Sequence, residues 1–249
     1  MPVVGRILLY PIKALDPIAV PQAAVLASGA LAFDRHWAFV DGQGEFISGK
    51  TRAVVHRIRS EYDLARLEVA LDGHVFSLER QRTELARWMS ERIGDRVELR
   101  ENGAAGFPDD TASPGPTFVS EGSLAVVADW FGWPLAETRL RFRTNVELEG
   151  TGPFWEDRLY GRVFCAGSVH VHAVNPCARC VVPSRDPRTG EPTVGFQKRF
   201  AELRAAHLPP HAQTAGFDHY YRFAVNTRIP PTEAGKIVRV GDETTDSDG

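Results

Sequence analysis

Apolar and polar positions along the chain change period in a regular order. VVGRILLY (3–10) and AFDRHWAFVD (32–41) are rich in β-branched and aromatic residues, the composition of half-buried strands. Asp-Gly pairs in DGQGEF (41–46) and ALDGHVFSL (70–78) mark hairpin turns between such runs. Residues 3–80 therefore read as closely spaced short strands, the pattern of a small barrel or sandwich. The period then switches. In RTELARWMSERIGD (82–95), Leu85, Trp88, Met89 and Ile93 recur at helical spacing, with Thr83 placed as an N-cap.

ENGAAGFPDDTASPGPT (101–117) is rich in Gly, Pro and small polar residues, which marks a domain border or a binding loop. Beyond it, SEGSLAVVADWFG (120–132) predicts a helix capped by Ser120, with Leu124, Val127 and Phe131 on one face. RLRFRTNVEL (139–148) alternates like a strand, which would put Arg143 and Asn145 on one face and Phe142 and Thr144 on the other. RVFCAGSVHVHAV (162–174) is a further β run. GFQKRFAELRAAHL (195–208) predicts a helix with Phe196, Phe200 and Leu203 on one side, and FDHYYRFAVNTR and KIVRVGD predict closing strands. The expected fold is mainly β with flanking helices, an α+β chain of two domains over 1–105 and 106–243, followed by an acidic flexible tail over 244–249.

Composition narrows the functional classes. The 249 residues are 43% hydrophobic and 24% charged, ordinary for a globular chain with a sizeable core. A formal net charge of −3 argues against a sequence-independent nucleic-acid binder, so any anion must be met by local positive charge. The apolar start is interrupted by Arg6 and ends at Pro11, too short for a membrane span. Three cysteines, Cys165, Cys177 and Cys180, do not suit a disulfide scaffold and point to a reducing cytoplasm.

Candidate chemistry concentrates in NPCARCVVPSRDPRTGE (175–191), where two thiols lie three positions apart. One reading is zinc, held by His170, His172, Cys177 and Cys180. A second is a redox dithiol assisted by Arg179, although Pro183 and Pro187 forbid the regular helix that usually supports one. The third is a single thiolate holding a soft metal whose remaining ligands come from an anionic cofactor. That reading needs cations elsewhere, and Lys13, Arg35 and Arg143 supply them. Glu156 and Asp157 in PFWED either position a proton or cap a turn.

These segments together resemble a known family. NPCARCVVPSRDPRTGE resembles the cysteine motif of the MOSC domain, and VGRILLYPIKAL with GALAFDRHWAFVDGQGEFIS is similar to its N-terminal β-barrel domain. RFRTNV, PFWED and GKIVRVGD follow in the family's order. Within the family the chain is most similar to the mitochondrial amidoxime reducing component and its stand-alone bacterial relatives, since 249 residues leave no room for the aminotransferase-like domain of a sulfurase.

The resemblance implies an N-terminal β-barrel-like domain packed on a MOSC β-barrel, with a molybdenum cofactor (molybdopterin) between them. It implies that Cys180 ligates molybdenum and acts in catalysis. Lys13 and Arg35 would grip the pterin phosphate, Arg143 and Asn145 would contact the pterin, and Arg179 would be a further cofactor-binding residue. The implied activity is reduction of N-hydroxylated or N-oxygenated small molecules. The implied rival is a cofactor or persulfide carrier using Cys180. An iron–sulfur cluster generally takes four cysteine ligands and the chain has three, so a separate electron-donor protein is expected. The 101–117 loop and the helix after residue 195 are expected beside the substrate.

Overall fold

The computed structural model describes residues 1–212 and 214–246. Its first half comprises β1 (Val3–Leu9), β2 (Ile18–Val20), β3 (Gln22–Ala24), β4 (Trp37–Asp41), β5 (Ser60–Asp63), β6 (Glu68–Leu71), β7 (His74–Ser77), α1 (Arg82–Ile93) and β8 (Val97–Glu101). The second half comprises β9 (Phe118–Ser120), α2 (Glu121–Phe131), α3 (Leu135–Phe142), β10 (Val146–Glu149), β11 (Val163–Ala166), β12 (Val169–Ala178), α4 (Phe196–Ala206), β13 (Arg222–Arg228), β14 (Ile237–Arg239) and β15 (Thr244–Asp246). The fold is mainly β with flanking helices, as the alternating runs and the few helical stretches predict.

One eight-stranded sheet, in the order β15-β11-β12-β13-β9-β10-β1-β2, is the frame of the molecule. It crosses the halves of the sequence. β1 and β2 join it, and β3 pairs antiparallel with β14, so the first 24 residues serve the second half. The remaining strands of the first half form the β4–β8 pair and the β5-β6-β7 meander. β6 and β7 are joined by Asp72-Gly73, both at positive φ, which is the two-residue turn that twisted strands prefer. β9 and β10 run parallel and are linked through α2 and α3, the long crossover that parallel pairing requires.

Three apolar clusters hold these layers. One lies on the large sheet around Ile7, Phe118, Phe164 and Val225, and a second fills the first half around Trp37, Phe39, Leu85 and Met89. The third is aromatic: Phe142, Phe196, Phe200 and Phe223 pack α3 and α4 onto β13, with Phe142 and Phe223 ring centres 4.4 Å apart. Ser120 caps α2 as predicted, its Oγ accepting from the Ser123 backbone N–H at 3.0 Å.

Three local expectations are corrected. RLRF is the end of α3, not a strand. Leu, Ala, Glu and Arg after Pro134 favour helix, Glu137 pairs with Arg141 at i,i+4, and the strand starts only at Val146. Arg143 and Asn145 therefore share no strand face. α1 begins at Arg82, so Thr83 lies inside it and Gln81 precedes it. The tail begins as structure: Thr244–Asp246 pairs with Ala166–Phe164 at the sheet edge, because the open β11 edge offers it backbone partners. Residues 247–249 lie outside the described residues.

PFWED forms a buried polar knot. Asp157 and Arg204 are each 1% exposed and form an ion pair, and Tyr160 donates its hydroxyl hydrogen to the same carboxylate. Glu156 accepts from the Ser123 hydroxyl at 2.9 Å and the Ser120 N–H at 3.2 Å, while its other oxygen has no hydrogen-bond partner among the described residues. Burial and the neighbouring Asp157 push the Glu156 carboxyl up to about 7. The folded protein thus keeps a proton that the unfolded chain releases near pH 4.5. Stability should fall by on the order of 2–3 kcal/mol as pH rises from about 4.5 to 7. Urea unfolding across that window checks this, and Glu156→Gln should flatten the slope.

Candidate functional site

A cavity of about 420 Å³ lies where the two halves meet, and all six sequence-nominated residues, Lys13, Arg35, Arg143, Asn145, Arg179 and Cys180, line it. Nine lysines and arginines line it against four aspartates, in a chain whose net charge is negative. The cleft therefore carries a local excess of positive charge.

Tyr10 organises the first wall. β1 leaves the large sheet and ends at this fully buried ring, whose hydroxyl donates to the Thr144 carbonyl at 3.2 Å and whose N–H donates to Asp34 at 3.0 Å. The Arg143 guanidinium lies over one side of the ring, 4.2 Å from its centre, and that of Arg35 lies 5.3 Å from the same centre. Arg35 also pairs with Asp34, so the neighbour pairing visible in the sequence exists inside the cavity itself. Arg143 differs. Its guanidinium has no hydrogen-bond or ion-pair partner among the described residues, and burial lowers its pKa.

Lys13 sits three residues further on, just after Ile12 bridges to Trp37. It is 8% exposed, and its ammonium donates to the Phe107 carbonyl at 2.8 Å and to Asp109 at 2.9 Å. Burial lowers the Lys13 pKa, with the Asp109 carboxylate opposing. Burial likewise disfavours the Asp109 charge, but Arg35, Lys13 and Lys50 overcome it and hold that carboxyl well below the usual range. Asp109 belongs to the 101–117 loop, which enters the cavity through Pro108 to Gly115.

Asn145 lines the cavity, but its amide is largely spoken for. Its Oδ1 accepts from the Thr117 N–H and hydroxyl at 3.2 and 3.3 Å, and its Nδ2 donates to the Leu8 carbonyl at 3.1 Å. It clasps β1 to the strand before α2 more than it offers a free edge.

The thiols occupy the opposite wall. The β12–β13 ladder shifts register between Pro176 and Ala178, and such a bulge re-aims the chain locally. Cys177 is half-buried there and accepts from the Arg179 guanidinium at 3.1 Å. Arg179 also donates to the Phe142 carbonyl, which fixes it against the end of α3. Cys180 is exposed to the cavity, and its carbonyl is held by the Tyr221 hydroxyl at 2.9 Å. Beyond it the chain makes only the short turn Val182–Ser184, as Pro183 predicts.

Zinc is not supported by this geometry. β12 is extended, so His172 and Cys177 stand about 16 Å apart along it at roughly 3.3 Å per residue. His170 instead meets Glu233. Among the described residues no three His, Cys, Asp or Glu side chains converge as a metal site. α4, expected beside the substrate, does not line the cavity; Phe196, Phe200 and Arg204 turn its buried side into the aromatic cluster.

Sequence reasoning missed Tyr10, Lys50, Asp109 and Arg141. Tyr10 and Asp109 lie within segments already singled out, YPIKA and the proline-rich loop, and only their company in space reveals them. Arg141 is a brace. It is 3% exposed, donates to the Pro183 and Arg185 carbonyls at 3.2 and 2.7 Å, pairs with Glu137 and lies over Trp133.

Residues 1–105 match the MOSC N-terminal beta barrel domain, and residues 117–245 match the MOSC domain. The molybdenum cofactor sulfurase of Drosophila erecta is 26% identical over 90% of this chain and 31% of its own, and that of Drosophila melanogaster 27% identical over 74% and 28%. The chain thus spans less than a third of the length of these relatives. Among solved structures, the YUAD protein from Bacillus subtilis aligns over 98% of this chain and 94% of its own, at 11% identity and a TM-score of 0.44. YiiM from Geobacillus stearothermophilus aligns over 53% of each chain, at 16% identity and a TM-score of 0.32. No helix among the described residues is long and apolar enough to cross a membrane.

Replacing Arg141 with Met should strand two carbonyls of the Cys180 loop. The expected loss is about 2–4 kcal/mol of stability in urea, with faster amide exchange at residues 182–185. Unchanged exchange there would remove Arg141 as the brace.

Proposed function

Because the chain belongs to the MOSC family, with the MOSC N-terminal β-barrel domain ahead of the MOSC domain, we propose that its cavity holds a molybdenum–pterin cofactor. On this reading the protein is an oxidoreductase that removes oxygen from N-hydroxylated or N-oxygenated small molecules. The observation that carries the reading is Arg143, a half-buried cation whose guanidinium has no hydrogen-bond or ion-pair partner among the described residues, facing the same cavity as an accessible Cys180 thiol. A cavity so rich in cations fits a ligand carrying a phosphate, whose charge is about −1.5 to −2 at neutral pH.

Lys13 and Arg35 would hold the phosphate, the one as a point charge and the other as a planar fork. Arg143, stacked on Tyr10, is pre-oriented and loses little freedom when a flat anionic ligand meets it. Arg179 would lie beside the metal's sulfur ligand, and Cys180 would supply that sulfur as thiolate. The bound group would supply two-electron redox chemistry that the side chains cannot provide. Reduction of a hydroxylamine to an amine and water takes up two electrons and two protons. With three cysteines the chain falls short of the four that an all-cysteine iron–sulfur cluster takes, and the electrons would come from a separate donor protein.

Purified from a host that makes the cofactor, the protein should contain near-stoichiometric molybdenum by elemental analysis. Cys180→Ser should lose it, and Arg143→Ala should weaken retention about ten- to a hundredfold, the worth of one charge-assisted contact. Molybdenum indifferent to Cys180→Ser would remove that thiol as ligand. Turnover distinguishes the remaining alternative: an enzyme oxidises a reduced dye in the presence of a hydroxylamine, whereas a cofactor or persulfide carrier does not.

A further inference from the structure

The Asp109 carboxylate occupies a cluster of cations that no fold requirement obliges it to meet. Its Oδ1 accepts from Lys13 at 2.9 Å and from Lys50 at 3.4 Å, and Arg35 stands close enough to stabilise its charge. The chain on both sides of it is anchored independently. Phe107 donates its N–H to the Arg35 carbonyl at 2.8 Å and accepts from Lys13 through its own carbonyl. Asp110 accepts from the Ala112 and Ser113 N–H groups at 2.9 and 3.2 Å. Gly106 packs so closely on the Asp34 carbonyl that a Cβ there would come within 2.5 Å of it. The loop backbone is therefore fixed, while the Asp109 side chain is 55% exposed and can turn into water by rotation alone.

The charges around it are unequal. Lys13, Lys50 and Arg35 bring three positive charges, and Asp34 and Asp109 bring two negative ones. Asp34 is committed, since it accepts from the Tyr10 N–H as well as Arg35. Among the described residues the Asp109 side chain makes no hydrogen bond or ion pair beyond the two lysines. With Asp109 turned out, the cluster carries two net positive charges, which matches a phosphate monoester dianion and over-matches a diester. Lys50 extends the cluster beyond the two cations nominated from the sequence.

We propose that Asp109 is the exchangeable counter-ion of a dianion subsite formed by Lys13, Lys50 and Arg35, displaced when a phosphate monoester binds and selecting it over a diester. The inference rests on the reading that this cavity takes a phosphorylated ligand. Asp109 sets a threshold: an incoming anion must outcompete a carboxylate already in place, which a doubly charged monoester does and a singly charged diester does not. The same carboxylate keeps the buried Lys13 ammonium, and the exposed Lys50 ammonium beside it, compensated before any ligand arrives.

Calorimetric titration with methyl phosphate and with dimethyl phosphate at pH 8 and low salt tests this on the full chain. The wild type should bind methyl phosphate and show no measurable binding of dimethyl phosphate. Asp109→Asn should bind methyl phosphate about tenfold more tightly and begin to bind dimethyl phosphate. Adding Lys13→Gln to Asp109→Asn should abolish the gain, with thermal unfolding confirming that each variant is folded. Unchanged or weaker methyl phosphate binding in folded Asp109→Asn would overturn the proposal, making Asp109 a strut for Lys13. Absence of binding in every variant would overturn the subsite itself. A molybdenum-free protein whose Asp109→Asn variant still gains methyl phosphate would sink the proposed function and leave this inference standing.

Discussion

Two guanidiniums packed on one buried tyrosine ring set the terms for the rest of the molecule. Tyr10 holds Arg143 at 4.2 Å and Arg35 at 5.3 Å from its ring centre, so the ring's negative face offsets part of the cost of bringing like charges together away from bulk water. The residue has no freedom to shift. Its N–H, carbonyl and hydroxyl are each bonded, to Asp34, to the Arg35 N–H and to the Thr144 carbonyl. The end of β1 thereby ties the loop bearing Arg35 to the segment bearing Arg143, and the cavity exists because these two segments are held apart across one ring.

The backbone carries strain at the same place. Ala14, Arg35 and Arg143 all adopt positive φ, at 74°, 51° and 53°, where a side chain costs roughly 1 kcal/mol or more. For Arg143 the left-handed conformation also ends α3, its N–H closing on the Arg139 carbonyl. A helix terminus and a ligand-facing cation are thus one residue. Glycine would relieve the strain and lose the charge, which explains why a costly conformation sits on an arginine here.

α3 and its neighbours act as the mount for the thiol wall. Arg139 fastens the helix to β10 through Glu147, its Nε–H shared between the two carboxylate oxygens at 2.9 Å and its Nη2 donating to Oε2 at 2.7 Å, and Arg141, two residues on, reaches the Pro183 and Arg185 carbonyls. From the other half, Arg57 and Arg59 donate to the Thr189 and Pro187 carbonyls at 3.1 Å, and Gly190 fits against Ala53 with no room for a Cβ. A loop without regular structure is held by side-chain donors from both halves of the chain. The Asp157–Arg204 pair does comparable work under α4 and carries no cavity role.

Period and punctuation in the sequence were enough for the local elements: the Asp72-Gly73 hairpin, the Ser120-capped helix, the β run into the cysteines and the short turn enforced by Pro183. The resemblance of their segments to the MOSC family nominated Lys13, Arg35, Arg143, Asn145, Arg179 and Cys180, which gather around one cavity although 167 positions separate the first from the last. Alternation misled at RLRF, because helix propensity and the Glu137–Arg141 pair outweigh a period of two over four residues. Partnership was decided only in three dimensions. That Asn145 spends its amide on Thr117 and Leu8, that Arg143 meets a ring and no carboxylate, and that Asp109 sits on Lys13 from 96 positions away are outcomes of strand pairing across the halves. Local sequence sets what a residue can donate, accept or bury; long-range packing alone sets which neighbour is there to receive it.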